Sequence, residues 1–207
     1  MQEVSDINTV YVVDDDQDFR DSLIWLLEGA GYVVKDYGSA EDFLVDYIGG
    51  AGCLLLDVRM NGMSGLALQQ EMTRQHFKLP VIVITGHGDV AMAVQAMKNK
   101  AVDFLEKPFD DKVLLSLVAA SLSSASRLFA EEARLKTLEA RWHEMSKREL
   151  EVAECVVAGS SNREIAEKLQ ISIKTVEIHR SRVMQKMQVR KVAELVGVAG
   201  EIKGRLA

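Results

Sequence analysis

The chain is short of the residues that staple, kink or span. Its 207 residues include two cysteines, two prolines and only 6% aromatics. Cys53 and Cys155 stand far apart, which makes neither a disulfide framework nor a zinc site and implies a reducing, cytoplasmic setting. No run approaches the ~20 consecutive apolar residues of a membrane-spanning helix. The opening MQEVSDIN is acidic and polar, unlike a secretory leader. What is present suits folded cores: 48% of residues are hydrophobic and 27% charged, which excludes a disordered or collagenous chain. The length corresponds to one or two domains.

The net charge of −6 conceals an asymmetry. Residues 1–145 carry 13 Lys/Arg against 23 Asp/Glu, a net −10, whereas residues 146–207 carry 12 against 8, a net +4. An acidic module is therefore expected to precede a basic one, and the basic one is the candidate for nucleic acid.

Through the first 110 residues, apolar runs alternate with helical patterns. Strands are expected at 10–13, 33–37, 53–56, 81–84 and 102–105. Helices are expected from Asp18 to Glu28, from a Ser39/Asp42 capping box through Tyr47, from Ser64 to Gln75 and from Asp89 to Asn99. Strands that are apolar throughout and separated by helices predict a five-stranded parallel, doubly wound α/β sheet. Neither Pro nor Gly occurs between Pro108 and Gly159, so a long helix should run from about Asp111 to Glu144. Leu128, Leu135, Leu138, Trp142 and Met145 form a heptad-like seam along it, interrupted by Glu131. It fits either a solvated linker helix or a parallel coiled coil. The remaining pattern is all-α with four helices: 147–158, one capped by Asn162 through Leu169, one capped by Ser172 through Met187, and 191–199. The short link Gln170-Ile171-Ser172 suits a helix-turn-helix. The expected organisation is an α/β domain at 1–125, a helical linker at 126–145 and an all-α domain at 146–207.

Asp14, Asp15 and Asp16 follow the first strand, and Asp57 follows the third. In an open α/β sheet, ligands bind beyond the carboxyl ends of the strands. Converging carboxylates need a compensating cation, and hard oxygen ligands without His or Cys favour magnesium, with manganese as a substitute. Thr85 ends the fourth strand and Lys107 the fifth. A hydroxyl and an ammonium facing a metal-bound carboxylate can hold phosphoryl oxygens, so Asp57 is a candidate for a covalent aspartyl phosphate.

These residues carry a resemblance. VVDDD at 12–16, LLLDVRM at 54–60, MSG at 63–65, VIVITGHGD at 81–89 and FLEKPF at 104–109 resemble the receiver domain of two-component response regulators. The resemblance implies that Asp14 and Asp15 are the acidic pair, Asp15 binding Mg2+ directly and Asp14 through water. Asp57 is then the phosphoacceptor and a metal ligand, and the Arg59 backbone carbonyl a further ligand. Thr85 is the switch hydroxyl, Phe104 the switch aromatic and Lys107 the conserved lysine, with a cis Lys107–Pro108 bond. One departure stands out: Asn61 occupies the position where the family usually has Pro, so the loop lacks proline's fixed φ.

From Ser172 to Lys191, six basic residues face one acid, Glu177, a density suited to phosphate contact. Ile173, Val176, Val183 and Met187 are expected to face the domain core. MSKRELEVAECVVAGSSNREIAEKL and ISIKTVEIHRSRVMQKM resemble the LuxR-type helix-turn-helix domain. The whole chain is similar to response regulators of the FixJ type. The resemblance implies base-edge roles for Glu177, Ile178 and Ser181, and phosphate contacts by Lys174, Thr175, His179, Arg182 and Lys186. It further implies a sensor histidine kinase as donor, promoter DNA as target, dimerisation on phosphorylation, contact with RNA polymerase, and activation rather than repression. The resemblance also implies no enzyme activity beyond magnesium-dependent self-phosphorylation and slow autodephosphorylation. Two alternatives remain: a regulator dimerised constitutively through its linker helix, and a magnesium-dependent phosphohydrolase. The latter lacks the usual second acid, because Val58-Arg59 follow Asp57.

Overall fold

Three runs with no polar interruption, TVYVV, CLLLD and VIVIT, form β1 (Thr9–Val13), β3 (Cys53–Asp57) and β4 (Val81–Thr85), and every residue in them is buried. The mixed sequences VVKDY and DFLE form β2 (Val33–Tyr37) and β5 (Asp103–Glu106), which are only partly covered. In the computed structural model, which describes residues 8–86 and 90–206, these strands make one parallel sheet in the order β2-β1-β3-β4-β5. Chain order therefore reverses between β1 and β3, which opens a crevice at their carboxyl ends.

Side-chain alternation divides the sheet into two cores. Val10, Val12, Leu55, Ile82 and Ile84 pack with Leu23 and Leu27 of α1 (Gln17–Gly29) and with Leu114, Val118 and Leu122 of α5 (Asp111–His143). Tyr11, Val13, Leu54, Leu56 and Val83 face the other way. They pack with α2 (Ala40–Asp46), α3 (Gly65–Arg74) and α4 (Val90–Lys98) through Phe43, Leu68, Met72 and Ala96. Large side chains sealed in this way contribute about 1.5–3 kcal/mol each.

The helix starts follow local chemistry. Asp16 caps α1 by accepting the Phe19 N–H, and Ser64 caps α3 by accepting the Ala67 N–H. Ser39 caps α2, but the expected reciprocal box takes another form: its hydroxyl donates to the Asp42 carboxylate. The strand expected at 102–105 lies one residue later, with Thr85 opposite Glu106. His87 and Asp89 lie outside the described residues.

The chain divides into two compact units, residues 1–129 and 130–207. The α5 helix contributes to both. Within it a stretch of 18 residues has a mean hydropathy of 1.6, long and apolar enough by composition alone to suit a membrane. Leu114, Val118, Leu122 and Ala125 are instead buried, the first three against the sheet. The expected seam is split by the second unit's own packing. Leu138, Trp142 and Met145 belong to that unit's core, whereas Leu128 is exposed.

The second unit adds α6 (Lys147–Val157), α7 (Asn162–Leu169), α8 (Ile173–Met187) and α9 (Val192–Leu206). Ser146 with Glu149, and Ser161 with Glu164, form full capping boxes. Ser161 therefore replaces Asn162 as the cap of α7. Gln170, in the left-handed region at φ 55°, ends α7, and Ser172 starts α8. The last helix runs past the expected Ala199 because Ile202 continues its apolar face into the core.

Candidate functional site

The carboxyl ends of β1, β3 and β5 bring the acids and the lysine together. Oxygens of Asp14, Asp15 and Asp57 lie within 4.8 Å of one another. Lys107 Nζ donates to Asp14 Oδ2 at 2.7 Å and lies 3.7 Å from Asp57 Oδ1. The Lys107–Pro108 bond is cis, and the Lys107 ammonium rests 3.5 Å above the centre of the Phe19 ring.

Backbone groups fix the other oxygens. Asp57 Oδ2 accepts the Arg59 N–H at 2.9 Å, and Asp14 Oδ1 accepts the Asp16 N–H at 2.9 Å. Gly65 allows the chain to fold back here: a Cβ at this position would lie 2.0 Å from the Asp57 carbonyl oxygen. Burial, followed by the neighbouring Asp14 charge, pushes the Asp57 carboxyl up to about 6, against the opposing pull of Lys107. Three carboxylates facing one ammonium leave an excess of negative charge on hard oxygen donors. This donor set fits a small divalent cation.

Asp15 is exposed, unlike Asp14 and Asp57. Its Oδ2 accepts both the backbone N–H of Asn61, at 3.0 Å, and the Asn61 side-chain amide, at 2.8 Å. Thr85 is buried at the end of β4, and its carbonyl accepts the Lys107 N–H at 2.9 Å. Phe104 lies half-buried on β5 beside Val83 and packs against the core containing Phe43 and Leu68. Arg59 is exposed on the loop after β3.

Sequence reasoning missed several supports. Arg20 is buried, and its guanidinium donates to the Asp14 carbonyl at 2.6 Å and to Asp36 at 3.2 Å. An arginine on the otherwise apolar face of α1 was the available signal. The contacts of Phe19 with Lys107 and of Asn61 with Asp15 carried no local signal.

In the second unit, Lys174, Glu177, Ile178, Ser181 and Arg182 are exposed on α8, while Val176, Val183 and Met187 are buried. Ile173 is 48% exposed, which corrects its expected place in the core: as the first residue of α8 it precedes the helical stripe formed by the other three. Thr175 is engaged in the helix cap, its hydroxyl 2.7 Å from that of Ser172. His179 is half-buried, and its Nδ1 is buried without a hydrogen-bond partner. Arg180 donates to Asn162 of α7 at 2.8 Å.

Lys186 also has partners within its own unit. Its ammonium donates to Glu149 Oε2 at 2.8 Å and to the Glu144 carbonyl at 3.0 Å. Two of its three donors are therefore engaged inside the domain, while its side chain remains 37% exposed. The Lys186 hydrogen bond, followed by that of the Ser146 N–H, holds the Glu149 carboxyl down at about 2.

Residues 10–119 match the response regulator receiver domain, and residues 143–199 match the luxR family of bacterial regulatory proteins. The chain is 43% identical over 192 residues to the transcriptional regulatory protein FixJ of Bradyrhizobium diazoefficiens, covering 92% of this chain and 93% of that one. It is also 43% identical to the transcriptional regulatory protein TdiR of Thauera aromatica, covering 91% and 84%. Among solved structures, the response regulator StyR superposes with a TM-score of 0.85 at 38% identity, covering 93% of this chain and 98% of that one.

Proposed function

Because the chain belongs to the response regulators that join a receiver domain to a LuxR-type DNA-binding domain, we propose that Asp57 takes a phosphoryl group from a sensor histidine kinase and that the phosphorylated protein regulates transcription as a DNA-bound dimer. The observation that carries this reading is the convergence of Asp14, Asp15 and Lys107 on the Asp57 carboxylate.

An Asp57 oxygen attacks the phosphorus of a phosphohistidine. The new O–P bond forms as the N–P bond breaks, and the imidazole leaves with the electron pair and takes up a proton. Lys107 balances the negative charge that gathers beside Asp57. A Mg2+ ion held by Asp15, Asp57 and the Arg59 carbonyl, with Asp14 reached through water, would neutralise the phosphoryl oxygens, and Mn2+ can substitute. The Thr85 hydroxyl then bonds a phosphoryl oxygen, and Phe104 follows it inward. Slow loss of the phosphoryl group to water resets the switch. No other substrate is turned over.

On DNA, α8 enters the major groove. Glu177, Ile178 and Ser181 meet base edges, while Lys174, Thr175, His179, Arg182 and Lys186 meet phosphates. Lys186 in addition holds the helix to α6 through Glu149. The protein acts in the cytoplasm, activating promoters through contact with RNA polymerase. A coiled coil along the whole seam is less well supported, because Leu138, Trp142 and Met145 are already used in the second core. A phosphohydrolase is less well supported because exposed Arg59 stands where a second acid is required.

The test is covalent labelling of the intact protein by a small phosphodonor with Mg2+. A single phosphoryl group released by base and by hydroxylamine, as an acyl phosphate is, is expected, absent in Asp57→Asn and accompanied by tighter promoter binding. Full labelling of Asp57→Asn would overturn the assignment.

A further inference from the structure

The Asn61 contact has no counterpart in the usual family pattern. A proline at this position has neither a backbone N–H nor an amide to offer, whereas Asn61 directs both at one oxygen, Asp15 Oδ2, at 3.0 and 2.8 Å. These bonds join two segments 46 residues apart in sequence. One is the acidic turn after β1. The other is the loop from Asp57 to Asn61, which also carries the Arg59 carbonyl.

From this geometry we infer that Asn61 is a positioning residue for the divalent cation: it clamps Asp15 against the loop that carries Asp57 and the Arg59 carbonyl. The two donors fill the lone pairs of Oδ2 and leave Oδ1 for the metal. The clamp supplies by hydrogen bonding the loop rigidity that proline supplies by its ring. Fixing a metal-binding carboxylate through its outer oxygen keeps it from being reoriented by solvent, and partners of this kind typically govern metal affinity. Asp15 needs the support because it is the exposed member of the acidic group.

The inference rests on the reading of this edge as a cation site, and its test separates the two. MgCl2 is titrated calorimetrically into the full chain, into Asn61→Ala and into Asn61→Leu, with folding checked by circular dichroism. Removing the amide should weaken binding about tenfold, at the lower end of the effect of such outer partners because this one is exposed. Asn61→Ser, which restores a side-chain donor, should recover part of the loss. In phosphodonor labelling, the Mg2+ concentration for half-maximal rate should rise by the same factor while the rate at saturating Mg2+ is unchanged. Unchanged affinity in folded Asn61→Ala would overturn the inference and leave the cation site intact. Tighter binding would also overturn it, by showing that the amide competes with the metal. If the folded wild-type chain binds no Mg2+, the cation site and the clamp fall together.

Discussion

Lys186 on α8 and Glu149 on α6 form an ion pair at 2.8 Å in which the carboxylate side chain is only 5% exposed and the lysine 37%. The same carboxylate accepts the Ser146 N–H at 2.8 Å and so closes the capping box of α6. One acid thus fixes both the start of a core helix and the far end of the basic helix.

Lys186→Met leaves that carboxylate buried without its cation. The expected loss is about 2 kcal/mol, below the cost of breaking a fully buried pair because the lysine is partly solvated. Adding Glu149→Gln should restore most of the stability, since the amide oxygen can still accept the Ser146 N–H. Urea unfolding followed by Trp142 fluorescence measures this in a Trp25→Phe background, because Trp25 is 81% exposed and belongs to the first unit. Equal midpoints for wild type and Lys186→Met would make the pair energetically silent.

The same pair sets an acid limit on the second unit. The Glu149 carboxyl is held at about 2, below its usual 4.5, so the folded state favours the ionised form. Its contribution is complete above pH 4.5 and is lost as pH falls towards 2. The stability difference between wild type and Lys186→Met should therefore be constant from neutrality down to about pH 4.5 and shrink below it. A difference that grew on acidification would contradict the sign.

The sheet was legible in the sequence because β1, β3 and β4 are apolar on both faces, a pattern that only a doubly covered parallel strand explains. Asp57 and Lys107 were legible because they end strands, and strand ends meet at one edge whatever the loops do. Heptad spacing was ambiguous in α5. The same spacing describes a seam facing another helix and a stripe facing a domain's own core, and Leu138, Trp142 and Met145 took the second course. Lys186 was only half legible for a related reason: sequence shows a basic residue on a basic helix, but not the glutamate 37 residues earlier that it pairs with. The bonds from Asn61 to Asp15 and from Arg20 to Asp14 likewise join positions that no local pattern relates.

Gly65 ties fold to site through a close approach. Its backbone N–H bonds the Val58 carbonyl at 3.0 Å, and a Cβ would lie 2.0 Å from the Asp57 carbonyl oxygen. Gly65→Ala must push the start of α3 away from the end of β3 and shift Asp57 with it. A loss of about 1–3 kcal/mol is expected, as for other overpacked positions, together with slower phosphodonor labelling under conditions where the variant remains folded. Labelling at the wild-type rate would show that the loop absorbs the methyl group without moving the carboxylate.

Arg182 separates contact from support on the basic helix. It lies one turn before Lys186 and is exposed, and no ion pair of the kind that holds Lys186 restrains its guanidinium among the described residues. Arg182→Ala should therefore leave the unfolding midpoint unchanged and weaken binding to all DNA sequences alike. A lost phosphate contact also reduces the slope of log affinity against log salt by about 0.9 for each contact removed. Lys186→Met should show the converse, a lower midpoint with a smaller change in salt slope. Fluorescence anisotropy on specific and scrambled duplexes across a salt series measures both. An unchanged slope in Arg182→Ala would remove that residue from the phosphate-binding surface, and a fall in specific binding alone would move it to the base edges.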